Sequence, residues 1–195
     1  MPILLPAELA WYVTGRFYRT ADQALADYGY FFYLAGIAAP LFNGAQGEAT
    51  AHFTFAAIPF SATGVVNGAL SLALDPVGEF SVYLQRTPAG DFNRPESFAC
   101  GERIATFRRS SVVLGTTVNE GGGQQAQALL SSNVFTARLI DSVPFEFAGA
   151  RYDLRQMLGQ GVTQFGTAAA TPITPAPAVY DLVIPFSGSA IALGG

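Results

Sequence analysis

The residue best suited to proton transfer is His52, because it is the only histidine of the chain and imidazole titrates near neutral pH. An alternating pattern places His52 and Thr54 on one face of a predicted strand, and Phe53 and Phe55 on the other. Glu48 shares the polar face, but extended chain would separate it from His52 by about 13 Å. We therefore predict His52 as a candidate catalytic residue, with a solvent-facing or hydrogen-bonded strand histidine as the alternative.

Arginine supplies every positive side-chain charge, since the 10 basic residues include no lysine. Arg103, Arg108 and Arg109 are close in sequence, and guanidinium groups present forked donors to carboxylates and phosphates. Strict alternation puts Arg103 and Arg109 on one face of a strand and Arg108 on the other. An anion site here competes with surface pairing to nearby glutamates, which we favour. If a catalytic arginine exists in this stretch, we predict Arg103.

Tyrosines are concentrated near the start of the chain, and phenols can donate hydrogen bonds to the oxygens of a ligand in an apolar cavity. Tyr30 is a candidate catalytic residue beside His52 and Arg103. The predicted ligand-binding residues are the aromatic side chains Tyr28, Phe32, Phe53, Phe55 and Tyr83. Ordinary aromatic packing in a β-protein is the alternative interpretation of the whole group.

Composition excludes several chemistries. Without lysine, a Walker-A phosphate site and a Schiff base are impossible. The single cysteine, Cys100, excludes an intrachain disulfide, a CxxC redox pair and a thiolate zinc cluster. The carboxylates are scattered in sequence, so we predict no metal site and no cofactor. A formal net charge of −4 argues against nucleic acid as a partner.

The elements that must position these residues are mainly strands. Only 12% of residues are charged, and the 21 glycines and 12 prolines suit strands separated by turns. Residues 11–19 alternate as a half-buried strand, whereas residues 21–27 predict a short helix and 152–158 a second one. Strong turn signals lie at 75–78 and 119–123.

The pattern as a whole predicts an all-β fold, a single antiparallel β-barrel of about 8–10 strands over residues 1–195 with one or two short helices. A β-sandwich is the alternative. The proline-rich run 166–179 is expected to be extended. In layout the chain resembles small bacterial or plant barrels of the calycin, allene-oxide-cyclase or dirigent kind. This is a resemblance of architecture, and it carries no residue over.

Location and partners are only partly constrained. Residues 1–9 lack the basic start and continuous apolar core of a secretory signal, so a cytoplasmic location is favoured. The uncharged run 28–47 is interrupted by Pro40, Asn43 and several glycines, which leave only about a dozen continuous apolar positions instead of the roughly 20 that a spanning helix needs, so no membrane span is expected. Low charge with a mean hydropathy of +0.32 predicts either an apolar cavity or apolar surface covered by another copy in a homo-oligomer.

Three functions fit this sequence. The first is the binding of a small apolar molecule inside the barrel, without catalysis. The second is a cofactor-free isomerase or cyclase acting on an apolar substrate in the same cavity, with tyrosine, arginine or carboxylate groups polarising the substrate. The third is a structural protein that assembles into a homo-oligomer. The sequence does not decide between a binder and an enzyme.

Overall fold

A computed structural model describes residues 4–22, 24–60, 63–67, 70–75, 78–109, 113–119, 128–169 and 171–194. Parts of the turns predicted at 75–78 and 119–123 lie outside these ranges. Within the ranges, no helix combines the length and the apolar character needed to cross a membrane.

Most of the described chain forms antiparallel strands that close into a barrel. In chain order the elements are β1 (Leu9–Thr20), β2 (Leu25–Leu34), β3 (Phe53–Phe60), β4 (Thr63–Asn67), β5 (Leu70–Asp75), β6 (Glu79–Leu84), β7 (Glu102–Arg109), β8 (Val113–Asn119), β9 (Ala128–Ser142), β10 (Phe145–Phe147), β11 (Ala150–Tyr152), α1 (Leu154–Leu158), β12 (Gly161–Ala168) and β13 (Tyr180–Ala192). Two 3-10 helices, Glu48–Thr50 and Pro95–Ala99, lie in loops.

Eight strands form the barrel wall in the order β12-β13-β1-β2-β3-β6-β7-β9, and pairing of β9 with β12 closes the ring. This confirms the predicted all-β barrel. Period-two alternation gives the closed ring an apolar interior, because each strand turns one set of side chains inward. In β6, for example, Phe80, Val82 and Leu84 are all buried in the main core.

The two ends of the barrel differ. At the upper end, β4, β5, β8 and the first half of β9 continue the sheet beyond the closed ring. At the lower end, the hairpin β10–β11 and helix α1 follow β9 and return the chain to β12. The barrel is therefore extended on one side of its upper end, whereas short elements pack at its lower end.

Helix α1 has clear start and stop signals. Asp153 precedes it, and its carboxylate accepts a hydrogen bond from the backbone N–H of Arg155 at 2.9 Å. Gly159, with φ 71°, ends it. Its buried side chains are Leu154, Met157 and Leu158. The short helix predicted in this region is therefore confirmed, and it plugs the lower end with apolar side chains.

A second core lies outside the barrel wall. The segment 85–101, which contains the 3-10 helix Pro95–Ala99, covers the outer faces of β2 and β3. Its rings pack with tyrosines from β1 and β2, and we call this group the wall cluster: Tyr18, Tyr28, Tyr30, Phe92 and Phe98. Part of the proline-rich run joins it, since Ile173 and Ala176 also pack here.

The helix predicted at 21–27 is wrong. The chain instead reverses between Thr20 and Ala24, where the Thr20 backbone N–H donates to the Ala24 carbonyl at 3.0 Å. Strand β2 then begins at Leu25 and pairs with β1. Hairpin pairing of β1 with β2 has overridden a weak local helix preference, because it satisfies the same backbone groups along both strands.

Candidate ligand-binding site

A cavity lies inside the upper part of the barrel, on the side where the sheet continues beyond the ring. It encloses about 40 Å³, within roughly 470 Å³ of empty space that includes its mouth. Its lining side chains are Trp11, Val13, Asp27, Phe31, Phe55, Ala57, Phe80, Arg109, Phe135, Gln164 and Phe186. The wall is thus mostly aromatic, with three polar side chains among the rings.

The aromatic rings of the lumen contact one another closely. We call them the lumen cluster: Trp11, Phe31, Phe55, Phe80, Phe107, Phe135 and Phe186. Phe80 and Phe107 stack with centroids 4.7 Å apart, and the Trp11 indole meets the Phe107 ring edge-on at 5.6 Å. Such contacts hold the rings in fixed orientations. The cavity is therefore bounded mainly by aromatic rings that pack on one another.

Gln164 is held in place by the only tryptophan. The Trp11 Nε1–H donates to Gln164 Oε1 at 2.7 Å, and Gln164 Nε2 donates to the Phe165 carbonyl at 3.2 Å. Gly188 leaves the space for this amide, because a Cβ at that position would lie 2.4 Å from Gln164 Nε2. The two bonds orient the amide, so Gln164 presents a fixed dipole at the cavity wall.

Arg109 brings a permanent charge to the cavity. It is the last residue of β7, and only 3% of its side chain is exposed. Its guanidinium carbon lies 4.9 Å from the centre of the Phe135 ring, a cation–π contact. Its Nη2 lies 3.7 Å from Oδ2 of Asp27, a β2 residue whose side chain is 19% exposed. An aromatic lumen therefore contains a buried ion pair.

Two glycines allow the rings to lie against the wall. Gly15 and Gly29 face each other on β1 and β2. A Cβ on Gly29 would lie 2.7 Å from the Phe55 ring and 2.1 Å from the Thr14 carbonyl oxygen, closer than real Cβ contacts. The absence of side chains at this pair leaves room for Phe55 beside the cavity.

The predicted catalytic residues are not brought together. His52 lies just before β3, where its Nδ1 is 2.9 Å from the Gln85 carbonyl oxygen and its ring meets Phe147. The polar strand face predicted for Glu48 and His52 is wrong at its start, because Glu48–Thr50 forms a 3-10 helix. Tyr30 packs in the wall cluster. A shared catalytic role for His52, Tyr30 and Arg103 remains a prediction.

Arg103 is exposed on β7, and an irregularity in the pairing of this strand lies between Arg103 and Arg109. The pairing of β6 with β7 shifts between Val82 and Tyr83, so Ile104 is an extra residue in the ladder. A bulge of this kind breaks the period of two. The expectation that Arg103 and Arg109 share a face is therefore wrong.

The predicted ligand-binding residues divide between the two faces of the wall. Phe53 and Phe55 are buried inside the barrel, and Phe55 lines the cavity. Tyr28 and Tyr83 lie in or against the wall cluster, outside the barrel. Phe32 is 40% exposed and borders open grooves on the outer surface. Of this set, the structure places Phe55 at the cavity.

Burial raises the pKa of the phenols in the wall cluster. Desolvation is the main cause for Tyr18, Tyr28 and Tyr30, and the pKa of each lies above the ordinary value of 10.0.

Two hydroxyl groups of the wall bond to the covering segment. The Tyr18 hydroxyl donates to the Phe92 carbonyl at 2.8 Å, and the Thr54 hydroxyl donates to the Phe98 carbonyl at 2.6 Å. These hydroxyls therefore anchor the covering segment to the wall.

Sequence reasoning missed Asp27 and Gln164 and did not select Arg109. Asp27 fell within the wrongly predicted helix, although Asp27, Gly29 and Phe31 alternate with Tyr28 and Tyr30 as a strand does. That alternation was the signal in the sequence that could have placed Asp27 on a strand, on the same face as Phe31. The pairing of Asp27 with Arg109 joins residues far apart in the chain, and no local pattern reports it.

The comparisons give no further lead. Among the residues that the structure describes, no group of three or more His, Cys, Asp or Glu side chains could hold a metal ion. Searches against protein-family models, curated proteins and solved structures found no match to the chain. The fold and the geometry of the lumen are therefore the basis for a functional proposal.

Proposed function

We propose that this protein binds a small apolar molecule in the upper lumen of its β-barrel. One observation carries the proposal: the lumen cluster leaves a cavity lined by phenyl rings, and a buried arginine lies in its wall. Ligand sites are typically concave, mostly apolar and furnished with a few convergent polar groups. The cavity has this composition.

The buried ion pair supports a role beyond stability. Replacing a buried salt bridge by apolar side chains is often neutral or stabilising, so stability alone is a weak reason to place Arg109 and Asp27 inside an aromatic core. Charged groups in a cavity are candidates for ligand recognition. The pair therefore favours a site that holds one polar group of an otherwise apolar molecule.

The size of the cavity limits the occupant. An apolar cavity of about 150 Å³ holds benzene, and the enclosed part here measures about 40 Å³. A flat ring system would need the wall to move, whereas the end of a thin, unbranched chain fits better. The rest of the molecule would occupy the mouth.

Native mass spectrometry of the purified protein tests this proposal. We expect a bound small molecule, or saturable binding of added octanol. Ala57→Leu should abolish binding, because Ala57 lines the cavity. Ala56→Leu is the matched control, since Ala56 is buried in the outer core. Both changes overpack a core by about 1–3 kcal/mol, and equal binding by the two variants would contradict the site.

A cofactor-free isomerase or cyclase is the second candidate, and the ion pair in the cavity is the observation that favours it. The Arg109 guanidinium could polarise a substrate carbonyl, and the Asp27 carboxylate could accept a proton nearby. Incubating the wild-type protein with the molecule found by mass spectrometry tests this activity. A product of equal mass and different retention time would support it. An unchanged molecule would leave binding as the function.

Self-assembly remains a prediction as well. Tyr12, Phe32 and Phe165 are exposed on the outer wall and border one open groove. Sedimentation equilibrium would measure the oligomeric state directly. A monomer at all concentrations would contradict a structural homo-oligomer and would leave the lumen proposal unaffected.

A further inference from the structure

We propose that the outer wall of the barrel binds an extended, neutral polysaccharide chain of pyranose units. The chain lies in an open groove along β13, with one sugar ring between Tyr12 and Phe165. This site is separate from the lumen, so the inference goes beyond the function proposed above and does not depend on it. It follows from the rings that border the groove, the hydroxyl groups on its floor and the neutral character of its described lining.

The groove has aromatic sides and a floor of small residues. Tyr12 of β1 and Phe165 of β12 both pair with Ser189 of β13, so the three side chains lie in one row on the outer face. Tyr12 is 49% exposed and Phe165 is 42% exposed. Ser187 and Gly188 continue the floor along β13. An open groove of about 600 Å³ therefore follows this strand between two exposed rings.

The width of the groove suits one six-membered ring. Two strand spacings separate the backbone of Tyr12 from that of Phe165, which is about 9.6 Å across the sheet. A ring that stacks on an aromatic side chain has its centre about 4.5 Å or more from it. One ring between the two side chains can therefore contact both. A pyranose suits this position, because the C–H groups on its faces carry partial positive charge and the faces of aromatic rings are negative.

The hydroxyl groups of the groove are available to a ligand. Within the described parts of the chain, the side-chain hydroxyls of Ser187, Ser189 and Tyr12 form no hydrogen bond to another residue. The Thr14 hydroxyl, by contrast, is used within the protein, since it donates to the Phe186 carbonyl at 2.9 Å. Serine and sugar hydroxyls each donate and accept, so they match one another in either direction.

Charge, shape and size decide among the possible occupants. None of the described residues that line the groove is charged, so a neutral ligand fits better than an ionic one. The floor follows a single strand, which suits an extended chain better than a coiled one. Nine described residues line the groove, whereas a stable protein interface takes roughly 20–30 residues a side. The groove by itself is therefore too small to hold a second copy of this protein.

Isothermal titration of the wild-type protein with cellohexaose and maltohexaose tests this inference. Both are neutral chains of six glucose units, but cellohexaose is extended and maltohexaose coils. We expect saturable binding of cellohexaose and clearly weaker binding of maltohexaose. Equal affinities would overturn the extended chain as the ligand, and failure of both to bind would overturn the site. Octanol affinity should be the same with and without cellohexaose, and competition between the two would contradict a site separate from the lumen.

Two variants of Phe165 assign the binding to the groove. Phe165→Ala should reduce cellohexaose affinity about tenfold, because it removes one of the two stacking rings, whereas Phe165→Tyr should retain the affinity. Ile140→Ala is the control, since Ile140 is an exposed apolar side chain that does not line the groove. Unchanged affinity in Phe165→Ala would overturn the site. Sedimentation equilibrium covers the competing occupant: a wild-type dimer that dissociates in Phe165→Ala would assign the groove to a second copy and contradict the proposal.

Discussion

The two aromatic clusters lie on opposite faces of the same wall, and they differ in how their polar atoms are used. In the wall cluster, the Tyr18 hydroxyl bonds to the backbone of a covering segment, and the rings are sealed beneath that segment. In the lumen cluster, the rings are phenylalanine and tryptophan, and the polar groups beside them face a cavity. Aromatic richness alone therefore does not mark a ligand site. A site also needs a cavity with polar groups in its wall, and of the two clusters compared here only the lumen cluster borders such a cavity in the described part of the chain.

The largest effect should come from removing one ring from each cluster. Phe55→Ala and Phe98→Ala should each cost about 3–5 kcal/mol of unfolding free energy, because both rings are buried. Only Phe55→Ala should change the affinity for octanol, since Phe55 lines the cavity. Urea unfolding and calorimetric titration measure the two quantities. Altered binding in Phe98→Ala alone would reverse the assignment of the clusters.

Neutralising either of two neighbouring arginines should lower the free energy of unfolding by different, smaller amounts. Arg109→Gln should lower the unfolding free energy by about 3 kcal/mol, because it leaves the largely buried Asp27 carboxylate without its cation. Arg108→Gln should cost less than ~1 kcal/mol, since its pair with Glu79 is exposed. Thermal and urea denaturation would show the difference. Equal losses would mean that the pair in the lumen is as well solvated as the pair on the surface.

The smallest effect concerns the phenol of Tyr18. Tyr18→Phe should lower the free energy of unfolding by about 1 kcal/mol near neutral pH, because it removes the hydrogen bond to the Phe92 carbonyl. Tyr12→Phe, on an exposed ring, is the control.

The pH dependence of Tyr18 has a defined sign. Burial raises its pKa above 10.0, so the folded protein keeps a proton that the unfolded chain loses as the pH rises past that value. The contribution of the Tyr18 phenol to the free energy of unfolding is therefore fully present below about pH 10 and falls as the pH rises above that value. The fall should be shallower in Tyr18→Phe, as measured by urea midpoints at increasing pH. An unchanged slope would indicate that Tyr18 ionises freely in the folded state.

The barrel could be predicted from local patterns, whereas most of the site could not. Alternation in β1 and β6 separates the two faces of each strand, because a strand has a strict period of two, and in β6 the apolar face is the buried one. The pattern of residues 152–158 likewise indicated the short helix at the lower end. The bulge at Ile104 shows the limit of this reasoning, since one extra residue moved Arg103 off the face expected for it. The ion pair of Asp27 and Arg109 depends on barrel closure, which no single segment encodes.

The same limit explains why the tyrosines were assigned to a cavity. Tyr28 and Tyr30 alternate with Asp27, Gly29 and Phe31, and the period shows two faces without showing which one is inside. The covering segment 85–101 buries Tyr28 and Tyr30 on the outer face, and Phe31 is buried on the inner face. Buried aromatic side chains therefore lie on both sides of this strand.

Quenching of the only tryptophan tests the central claim most directly. Trp11 lies in the lumen and is 1% exposed, so a contact quencher must enter the barrel to reduce its emission. We expect a bromine-bearing octanol to quench Trp11 fluorescence saturably, with reversal by unlabelled octanol and with little quenching by iodide. Linear, non-saturating quenching by the brominated alcohol, or equal quenching by iodide, would contradict an apolar ligand site in the upper lumen.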